Sequence, residues 1–260
     1  MYDMILAVDV GNSNIVLGVY DDTRELVAHW RLSTLPPRTA DELRVVLAGL
    51  FRDSHLETTQ ISAVVIGSVV PPLLSPLVRS VRALFDADVH VVSADSVPWL
   101  EIAIDNRHEI GADLIANAVS SQDYVQGCTC AVFDFGTALS TTLVDAEGRI
   151  LGASIAPGLM KASLALSEGT AQLPQIELAA PPKPFGTNTV HAIQAGIVYG
   201  YASMVEGMIG RFSDHLGCEV KALATGGLAD VVAPLVRRFE KVDPWLTLNG
   251  LRRIAERQPR

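Results

Sequence analysis

The sequence has few cysteine residues and no paired arrangement of them. Its 260 residues include three cysteines, Cys128, Cys130 and Cys218. These are too few for a disulfide framework, and they do not have the paired spacing of a structural zinc site. Cysteines that form neither disulfides nor zinc sites are typically small buried residues of proteins in a reducing compartment. We therefore expect a cytoplasmic protein.

An excess of positive charge is also missing. There are 20 lysine and arginine residues against 29 aspartate and glutamate residues, so the net charge is −9. No cluster of basic residues interleaved with aromatics interrupts this balance. A surface of this kind repels polyanions, so we expect no nucleic-acid partner.

Long uninterrupted apolar runs are missing as well. Asp9 breaks the first apolar run and no basic region precedes it, so we expect no signal peptide. The nearly uncharged stretch 192–210 contains Gln194 and Glu206, and its apolar residues recur at steps of three and four. That period is typical of a long helix in a soluble protein, so we expect no membrane partner.

The glycine patterns of P-loop and dinucleotide-binding folds are absent, and a different glycine turn is present twice. Asp9-Val10-Gly11-Asn12 lies between two apolar runs, and Asp134-Phe135-Gly136-Thr137 repeats this arrangement about 125 residues later. Glycine permits a tight turn, the polar residues offer donors, and aspartate can hold a hydrated cation beside phosphate oxygens. One such turn is also typical of an ordinary hairpin, but the repetition predicts a duplicated unit that binds phosphates.

Predicted strands alternate with predicted helices along the chain, which indicates an α/β fold. A length of 260 residues favours two lobes. We place the boundary near residue 115. The N-terminal lobe, 1–115, then carries the first phosphate motif. The C-terminal lobe, 116–260, carries the second phosphate motif, a strand that ends in Thr225-Gly226-Gly227, and the long helix.

Small residues form a stripe on that long helix, which we call the glycine face. Its members follow steps of four, three, four and three: Gly196, Gly200, Ser203, Gly207 and Gly210. A glycine inside a helix costs about 1 kcal/mol relative to alanine, so the stripe needs a compensating gain such as close approach of another helix. That helix could belong to the same chain or to a second subunit, and the sequence leaves both alternatives open.

The two acidic turns and Thr225-Gly226-Gly227 resemble the phosphate-1, phosphate-2 and adenosine motifs of the actin, Hsp70 and sugar-kinase superfamily. Within it, the chain is similar over nearly its full length to type III pantothenate kinases. The segments that carry this resemblance are Asp9-Val10-Gly11-Asn12-Ser13-Asn14, Asp105-Asn106, Glu109-Ile110-Gly111-Ala112-Asp113, Asp134-Phe135-Gly136-Thr137, Ala156-Pro157-Gly158, Gly186-Thr187-Asn188-Thr189 and Ala224-Thr225-Gly226-Gly227.

The resemblance implies a fold and an activity. The fold would consist of two duplicated ribonuclease-H-like (actin-like ATPase) lobes with a nucleotide cleft between them. The activity would be ATP-dependent phosphorylation of pantothenate to 4′-phosphopantothenate, the first step of coenzyme A biosynthesis. ATP, Mg²⁺ and a monovalent cation, K⁺ or NH₄⁺, would be required, and a homodimer would share its active sites.

The resemblance also implies roles for particular residues. ATP would contact Asp9, Val10, Gly11, Asn12, Ser13, Asn14, Ile15, Val16 and Thr137. Asp134 would help to hold the monovalent cation. Asp113 would be the general base, and pantothenate would contact Gly111, Ala112, Asp113, Leu114 and, from the neighbouring subunit, Thr189. From the residues alone, Asp113 and Thr189 could instead be helix caps.

The chain departs from the family pattern beside Asp113. Leu114 stands where the family ordinarily has arginine, Ile104 where it often has tyrosine, and Arg107 where it often has proline. Arginine suits a carboxylate or phosphate ligand, and leucine supplies neither charge nor donors. Two hypotheses follow. Either Arg107 or Lys161 replaces the lost charge in a pantothenate kinase, or the chain is a nucleotide-binding paralogue with weak, altered or no kinase activity and a regulatory or binding role.

Overall fold

The computed structural model describes residues 4–258, which form two compact units. The first unit comprises the described residues up to Leu100, Asp105–Ser120 and those from Thr247 onward. The second comprises Glu101–Ile104 and Ser121–Leu246. The sequence division at residue 115 assigned the C-terminal helix to the second lobe, whereas the structure places most of that helix in the first unit.

The first unit is built on a five-stranded sheet with the strand order β3-β2-β1-β4-β5. Strands β1, β2 and β3 form an antiparallel meander, and β4 and β5 run parallel to β1. Central strands are apolar on both faces because helices cover the sheet. The strands are β1 Met4–Val10, β2 Asn14–Tyr20, β3 Leu26–Ser33, β4 Ile61–Ser68 and β5 Asp88–Val91.

Helices α1 and α2 cover the core of this sheet with buried leucine, valine and phenylalanine side chains. Helix α1 begins after Thr39 because the Thr39 hydroxyl accepts from the Glu42 backbone N–H and the Glu42 carboxylate accepts from the Thr39 N–H. The helices are α1 Ala40–Asp53, α2 Pro71–Leu84, α3 Ala112–Ser121 and the C-terminal α8 Leu246–Glu256. Short 3₁₀ turns cover Thr58–Gln60 and Arg107–Glu109.

Helix α8 joins the first unit because it packs directly on α3. A Cβ atom at Gly250 would overlap the backbone of Ala116, so only glycine permits this approach. The Thr247 hydroxyl donates to Asn117 Oδ1 at 2.8 Å. Arg253 Nη1 donates to the Val119 carbonyl at 3.0 Å. These contacts join residues about 130 positions apart, which explains why a division of the sequence into two continuous lobes misplaced α8.

The second unit repeats the sheet topology of the first. Its strand order is β10-β9-β6-β7-β8, with an antiparallel meander β6-β7-β8 and with β9 and β10 parallel. The strands are β6 Cys130–Phe135, β7 Ala138–Val144, β8 Ile150–Pro157, β9 Lys221–Thr225 and β10 Phe239–Val242. Two lobes of the same topology are therefore present, as the repeated turn predicted.

The helices of the second unit include the predicted long helix. It runs through α5 Thr189–Gln194, a π-helical segment Ala195–Tyr199 and α6 Gly200–Leu216. It ends where Gly217 adopts a left-handed conformation (φ 66°), the usual helix terminator. The other helices are α4 Leu159–Glu168 and α7 Ala229–Val232, followed by a 3₁₀ turn Ala233–Leu235. Across residues 4–258, no helix combines the length and the apolar composition needed to span a membrane.

The glycine face of this helix is not packed against another part of the described chain. A Cβ atom at Gly196 or Gly200 would meet no described atom within 4 Å. At Gly207 and Gly210 a Cβ atom would meet only arginine side-chain ends, 3.3 Å and 3.9 Å away. The internal packing alternative is therefore wrong for the residues that the structure describes.

Candidate active site

The first phosphate turn closes the β1–β2 hairpin. The Gly11 N–H donates to the Asn14 carbonyl at 2.9 Å, and the hairpin pairing begins at once with Val10 opposite Ile15. Asn12 and Ser13 are exposed at the tip, while Val10 and Ile15 are buried in the sheet. The polar residues of the predicted phosphate site therefore reach solvent, and the two apolar ones form the base of the turn.

Thr34 braces this turn and was not among the residues predicted from the sequence. Its hydroxyl donates to the Gly11 carbonyl at 2.6 Å, and its backbone N–H donates to the Ser13 carbonyl at 3.0 Å. Only 2% of Thr34 is exposed. No local sequence signal marks it, because the contact joins residues 23 positions apart.

The first turn and the segment around Asp113, which the resemblance assigns to pantothenate, lie close together at the C-terminal ends of β1 and β4. Asp9 pairs with Gly67 of β4, and a Cβ atom at Gly67 would lie 3.5 Å from the Cβ atom of Ala112. One residue further, the Val69 N–H donates to the Val10 carbonyl at 3.0 Å. A glycine inside an apolar strand often marks such close approach, so Gly67 was a detectable signal.

Asp113 lies in the first turn of α3. The helix begins at Ala112, so Asp113 is not the N-cap residue that the local pattern also allowed. Its Oδ1 accepts from the Leu114 N–H at 2.9 Å. Burial raises the pKa of the Asp113 carboxyl, and the bond from Leu114 only partly opposes this. A Cβ atom at Gly111 would overlap Asp113 Oδ1, so Gly111 leaves space for the carboxylate.

The residues near Asp113 in the sequence, together with Lys161, are the candidates for a positive charge in the predicted pantothenate site. Leu114 is 8% exposed and adds a buried apolar side chain next to Asp113. Arg107 Nη2 donates to the Ala94 carbonyl at 2.6 Å. The Nε of Arg107 is buried and has no hydrogen-bond partner in the described part of the chain. Lys161 belongs to α4 of the second unit and is exposed.

The second phosphate turn closes the β6–β7 hairpin of the second unit. The Gly136 N–H donates to the Ala138 carbonyl at 3.0 Å. Gly226, after β9, has φ 93°, and a Cβ atom there would lie 2.6 Å from the Phe135 nitrogen. Gly158, after β8, lies equally close to the turn. The structure thus joins three predicted motifs: the Asp134–Thr137 turn, Ala156-Pro157-Gly158 and Thr225-Gly226-Gly227.

Asp134 has surroundings that suit a cation ligand. Its Oδ1 lies against the backbone of Gly226, where a Cβ atom would approach to 2.5 Å, so a side chain at that position would displace the carboxylate. Among residues 4–258, no group of three or more His, Cys, Asp or Glu side chains could hold a metal ion by itself. Mg²⁺ does not require such a group, because it binds substrate phosphates with one or two carboxylates and several waters.

Thr189 is the exposed first residue of α5. The cap of this helix is Asn188, whose Oδ1 accepts from the His191 N–H at 2.9 Å, so Thr189 is not the capping residue. Gly186 packs against the backbone of His191 and Ala192, where a Cβ atom would overlap it. The segment 186–189 is therefore fixed by close packing, while Thr189 itself is exposed.

Comparison with known sequences identifies close relatives over the whole chain. A family model described as type III pantothenate kinase matches residues 5–211. The type III pantothenate kinase of Exiguobacterium sibiricum is 42% identical over 254 residues, which are 98% of this chain and 99% of that protein. The type III pantothenate kinase of Myxococcus xanthus is also 42% identical over 254 residues, or 98% of each chain.

Comparison with solved structures bears on the fold. A ROK family glucokinase from Streptomyces griseus, solved with glucose and AMPPNP, superposes with a TM-score of 0.54 at 14% identity and covers 99% of this chain and 100% of its own. Component A of (R)-2-hydroxyglutaryl-CoA dehydratase from Acidaminococcus fermentans gives 0.55 at 15% identity, covering 97% and 96%. These likenesses confirm the predicted fold class, two duplicated ribonuclease-H-like lobes.

Proposed function

Because the chain belongs to the type III pantothenate kinase family, we propose that it transfers the γ-phosphate of ATP to pantothenate, the first step towards coenzyme A. The observation that carries this proposal is the position of Asp113. Its partly buried carboxylate, with a raised pKa, lies at the same end of the sheet as the first phosphate turn. A base and a phosphate-binding turn so close together suit phosphoryl transfer to a hydroxyl group.

On the nucleotide side, the exposed polar residues of the first turn bind phosphate oxygens of ATP. Backbone N–H groups and the side chains of Asn12 and Ser13 supply the donors. Val10, Ile15 and Val16 contribute backbone rather than side-chain contacts, since their side chains belong to the sheet. In the second unit, Thr137 contacts ATP from the corresponding turn.

On the acceptor side, Asp113 accepts the proton of the pantothenate hydroxyl. The hydroxyl oxygen forms its bond to the γ-phosphorus while the bond from that phosphorus to the β–γ bridging oxygen breaks, and ADP leaves with the electron pair. An aspartate with a raised pKa is a better base than an exposed one, because it holds the accepted proton more strongly. Gly111 and Ala112 position it beside the substrate.

The cations required by the family fit this set of donors. When bound with ATP, Mg²⁺ would supply positive charge that offsets the charge of the phosphates. Asp9, at the end of β1, is placed to hold its hydration shell. Asp134 holds the monovalent cation, K⁺ or NH₄⁺, with its carboxylate fixed against Gly226. We place the whole reaction in the cytoplasm.

Arg107 replaces the arginine that the family has at position 114. Its Nη2 is anchored on the Ala94 carbonyl, which leaves the remaining guanidinium donors for a carboxylate. The buried Nε without a partner favours Arg107 over the exposed Lys161. A buried donor that lacks a hydrogen bond gains more free energy from bonding to a ligand than an exposed donor does. The second candidate function, a paralogue with little or no kinase activity, is favoured by one observation, the buried apolar Leu114 beside Asp113.

The test is release of ADP from ATP with pantothenate as the acceptor. Wild type should turn over, and Arg107→Gln should raise the KM for pantothenate roughly ten- to a hundredfold, because a charge-assisted hydrogen bond contributes about 1.5–3 kcal/mol. Adding Leu114→Arg to Arg107→Gln should restore the KM. Lys161→Gln is the matched control and should behave as wild type. ATP binding without turnover in the wild type would contradict the kinase and support the paralogue.

We also propose a homodimer that buries the glycine face and shares its active sites. Gly196 and Gly200 are open to solvent, so a helix of a second copy can approach the backbone closely and offset the cost of glycine in the helix. Two apolar side chains at or just before the start of this helix are also exposed, with Val190 42% and Phe185 62% exposed. Thr189 precedes Val190 in the chain. In the proposed dimer it contacts the pantothenate bound by the partner.

A further inference from the structure

The residue that follows the third strand of each lobe contacts the phosphate turn of the same lobe. The two sheets have the same topology, so β3 and β8 are equivalent, as are the turns at Gly11 and Gly136. Strand β3 ends at Ser33 and β8 ends at Pro157. The next residues, Thr34 and Gly158, therefore occupy equivalent positions, although their side chains have nothing in common.

In the first lobe the contact is a pair of hydrogen bonds. The Thr34 hydroxyl donates to the Gly11 carbonyl at 2.6 Å, and the Thr34 N–H donates to the Ser13 carbonyl at 3.0 Å. The peptide plane is rigid and trans, so a carbonyl held on one side directs the next N–H to the opposite side. The bond to Gly11 therefore fixes the direction of the Asn12 N–H.

In the second lobe the contact is direct backbone packing. A Cβ atom at Gly158 would lie 2.5 Å from the carbonyl oxygens of both Gly136 and Thr137. Gly158 has φ −70° and ψ 156°, a conformation open to any residue, so space alone requires glycine here. Tyr201 also holds this segment, because its hydroxyl donates to the Pro157 carbonyl at 2.5 Å.

We propose that Thr34 and Gly158 are the positioning residues of the two phosphate turns. Each fixes the carbonyl of the turn glycine, and through the planar peptide it directs the following N–H, of Asn12 or Thr137, towards a nucleotide phosphate. One lobe uses a hydroxyl group for this purpose, and the other uses the absence of a side chain. The inference rests on the proposed function only in taking ATP as the ligand.

The first experiment compares Thr34→Val with Thr34→Ser. Titration calorimetry with ATP and Mg²⁺, without pantothenate, should show about tenfold weaker binding for Thr34→Val, because the isosteric side chain cannot donate to Gly11. Thr34→Ser keeps the hydroxyl and should bind as wild type. In the ADP-release assay the KM for ATP should rise about tenfold while the KM for pantothenate stays unchanged. A general loss of packing would not separate the two constants in this way.

Thr142→Val is the matched control. Thr142 is fully buried in β7, and its hydroxyl has no hydrogen-bond partner within the described chain. The same substitution there removes a hydroxyl without breaking a hydrogen bond, so ATP affinity should not change.

The second experiment compares Gly158→Ala with Gly152→Ala. Both glycines belong to the β8 region, but a Cβ atom at Gly152 would meet no described atom within 4 Å. Gly158→Ala should displace the Gly136–Thr137 turn and weaken ATP binding at least tenfold, whereas Gly152→Ala should bind ATP normally.

The possible outcomes separate this inference from the proposed function. Normal ATP affinity in both Thr34→Val and Gly158→Ala, with active wild type, would overturn the inference and leave the kinase standing. Weakened ATP binding in both variants of a chain that does not phosphorylate pantothenate would support the inference and reject the kinase. A wild type that does not bind ATP would overturn both.

Discussion

At the scale of single residues, Asp113 combines a functional gain with a cost in stability. Its carboxylate is partly buried in the first turn of α3, and this burial raises its pKa. A raised pKa makes the carboxylate a stronger base. The same burial disfavours the ionised group in the folded state, so at neutral pH the folded protein loses stability to keep a charged carboxylate at this position.

Asp113→Asn should therefore separate activity from stability. Turnover should fall by roughly 10²–10⁴, the usual contribution of a general base, while calorimetric affinity for ATP stays unchanged. The free energy of unfolding should increase at pH 7, because asparagine carries no charge that partial burial disfavours. This increase should vanish below the ordinary pKa of 3.8, where Asp113 is protonated in both the folded and unfolded states. Denaturant unfolding at several pH values measures it.

Asp41→Asn is the control for this prediction. Asp41 is also the second residue of its helix and follows an alanine, but it is exposed and lies 3.4 Å from Arg44. Its substitution should change neither turnover nor stability by more than about 0.5 kcal/mol. Full turnover in Asp113→Asn would remove Asp113 from the role of base.

Turnover of the wild type should itself decline as the pH falls through the raised pKa of Asp113.

At the scale of elements, the contact between α3 and α8 determines where Asp113 lies. Gly250 brings the two helix backbones together at Ala116, one turn after Asp113. Hydrogen bonds from Thr247 and Arg253 fix the same pair of helices. A shift of α8 would therefore move the helix that carries the proposed base.

Gly250→Ala should destabilise the protein, although alanine is the better helix former. At a helix position where nothing contacts the new methyl group, glycine to alanine would stabilise the protein by up to about 1 kcal/mol. At Gly250 the new methyl group would overlap the Ala116 backbone, and overpacking of this kind typically costs about 1–3 kcal/mol. Urea unfolding measures the change, and kcat should fall with little effect on the KM for ATP.

Gly49→Ala is the matched control in the same unit. Gly49 lies inside α1, and a Cβ atom there would meet no described atom within 4 Å. It should stabilise the protein by a few tenths of a kcal/mol to about 1 kcal/mol. Equal effects at the two glycines would show that the α3–α8 contact does not restrict position 250.

Local patterns predicted the elements better than their long-range partners. Strand–turn–strand at Gly11 and Gly136 was visible because apolar runs and turn glycines are adjacent in the sequence. The place of α8 was not visible, since it depends on contacts about 130 residues apart. The π-helical segment Ala195–Tyr199 was missed as well, because its residues follow the same apolar period as an α-helix.

The residues of the candidate site also differ in how well the sequence predicted them. The turn residues and Asp113 were predicted from motifs that are continuous in sequence. Thr34 was missed because its contact with the turn joins residues 23 positions apart. Gly67 was missed too, although a glycine inside an apolar strand is a visible signal of close approach. The alternative that Thr189 caps α5 is wrong by one residue, because Asn188 is the cap.

At the scale of the whole molecule, the proposed dimer explains two features that have no function within one chain. The glycine face is open, although its glycines weaken the helix. Thr189 is exposed, although the segment 186–189 that presents it is fixed by close packing. Both features follow if a second copy covers the helix and receives the Thr189 side chain.

A mixed dimer tests this sharing directly. Asp113→Asn removes the base, and Thr189→Glu places a larger, negatively charged side chain where the proposed dimer brings position 189 to the partner's pantothenate, so each homodimer should be inactive. If each site combines Asp113 of one subunit with Thr189 of the other, every mixed dimer contains one intact site and one site with both changes. Random mixing makes about half of the dimers mixed, so about a quarter of the wild-type activity should return.

The same experiment contains its own controls. Light scattering should show a dimer for the wild type and for both inactive variants. Adding Gly200→Leu to both variants should give monomers, because the bulky side chain prevents close approach at the glycine face, and the activity should then not return on mixing. If the mixture of intact dimers stays inactive, Asp113 and Thr189 of the same chain serve one site. Recovery with Gly200→Leu present would show that the subunits meet at another surface.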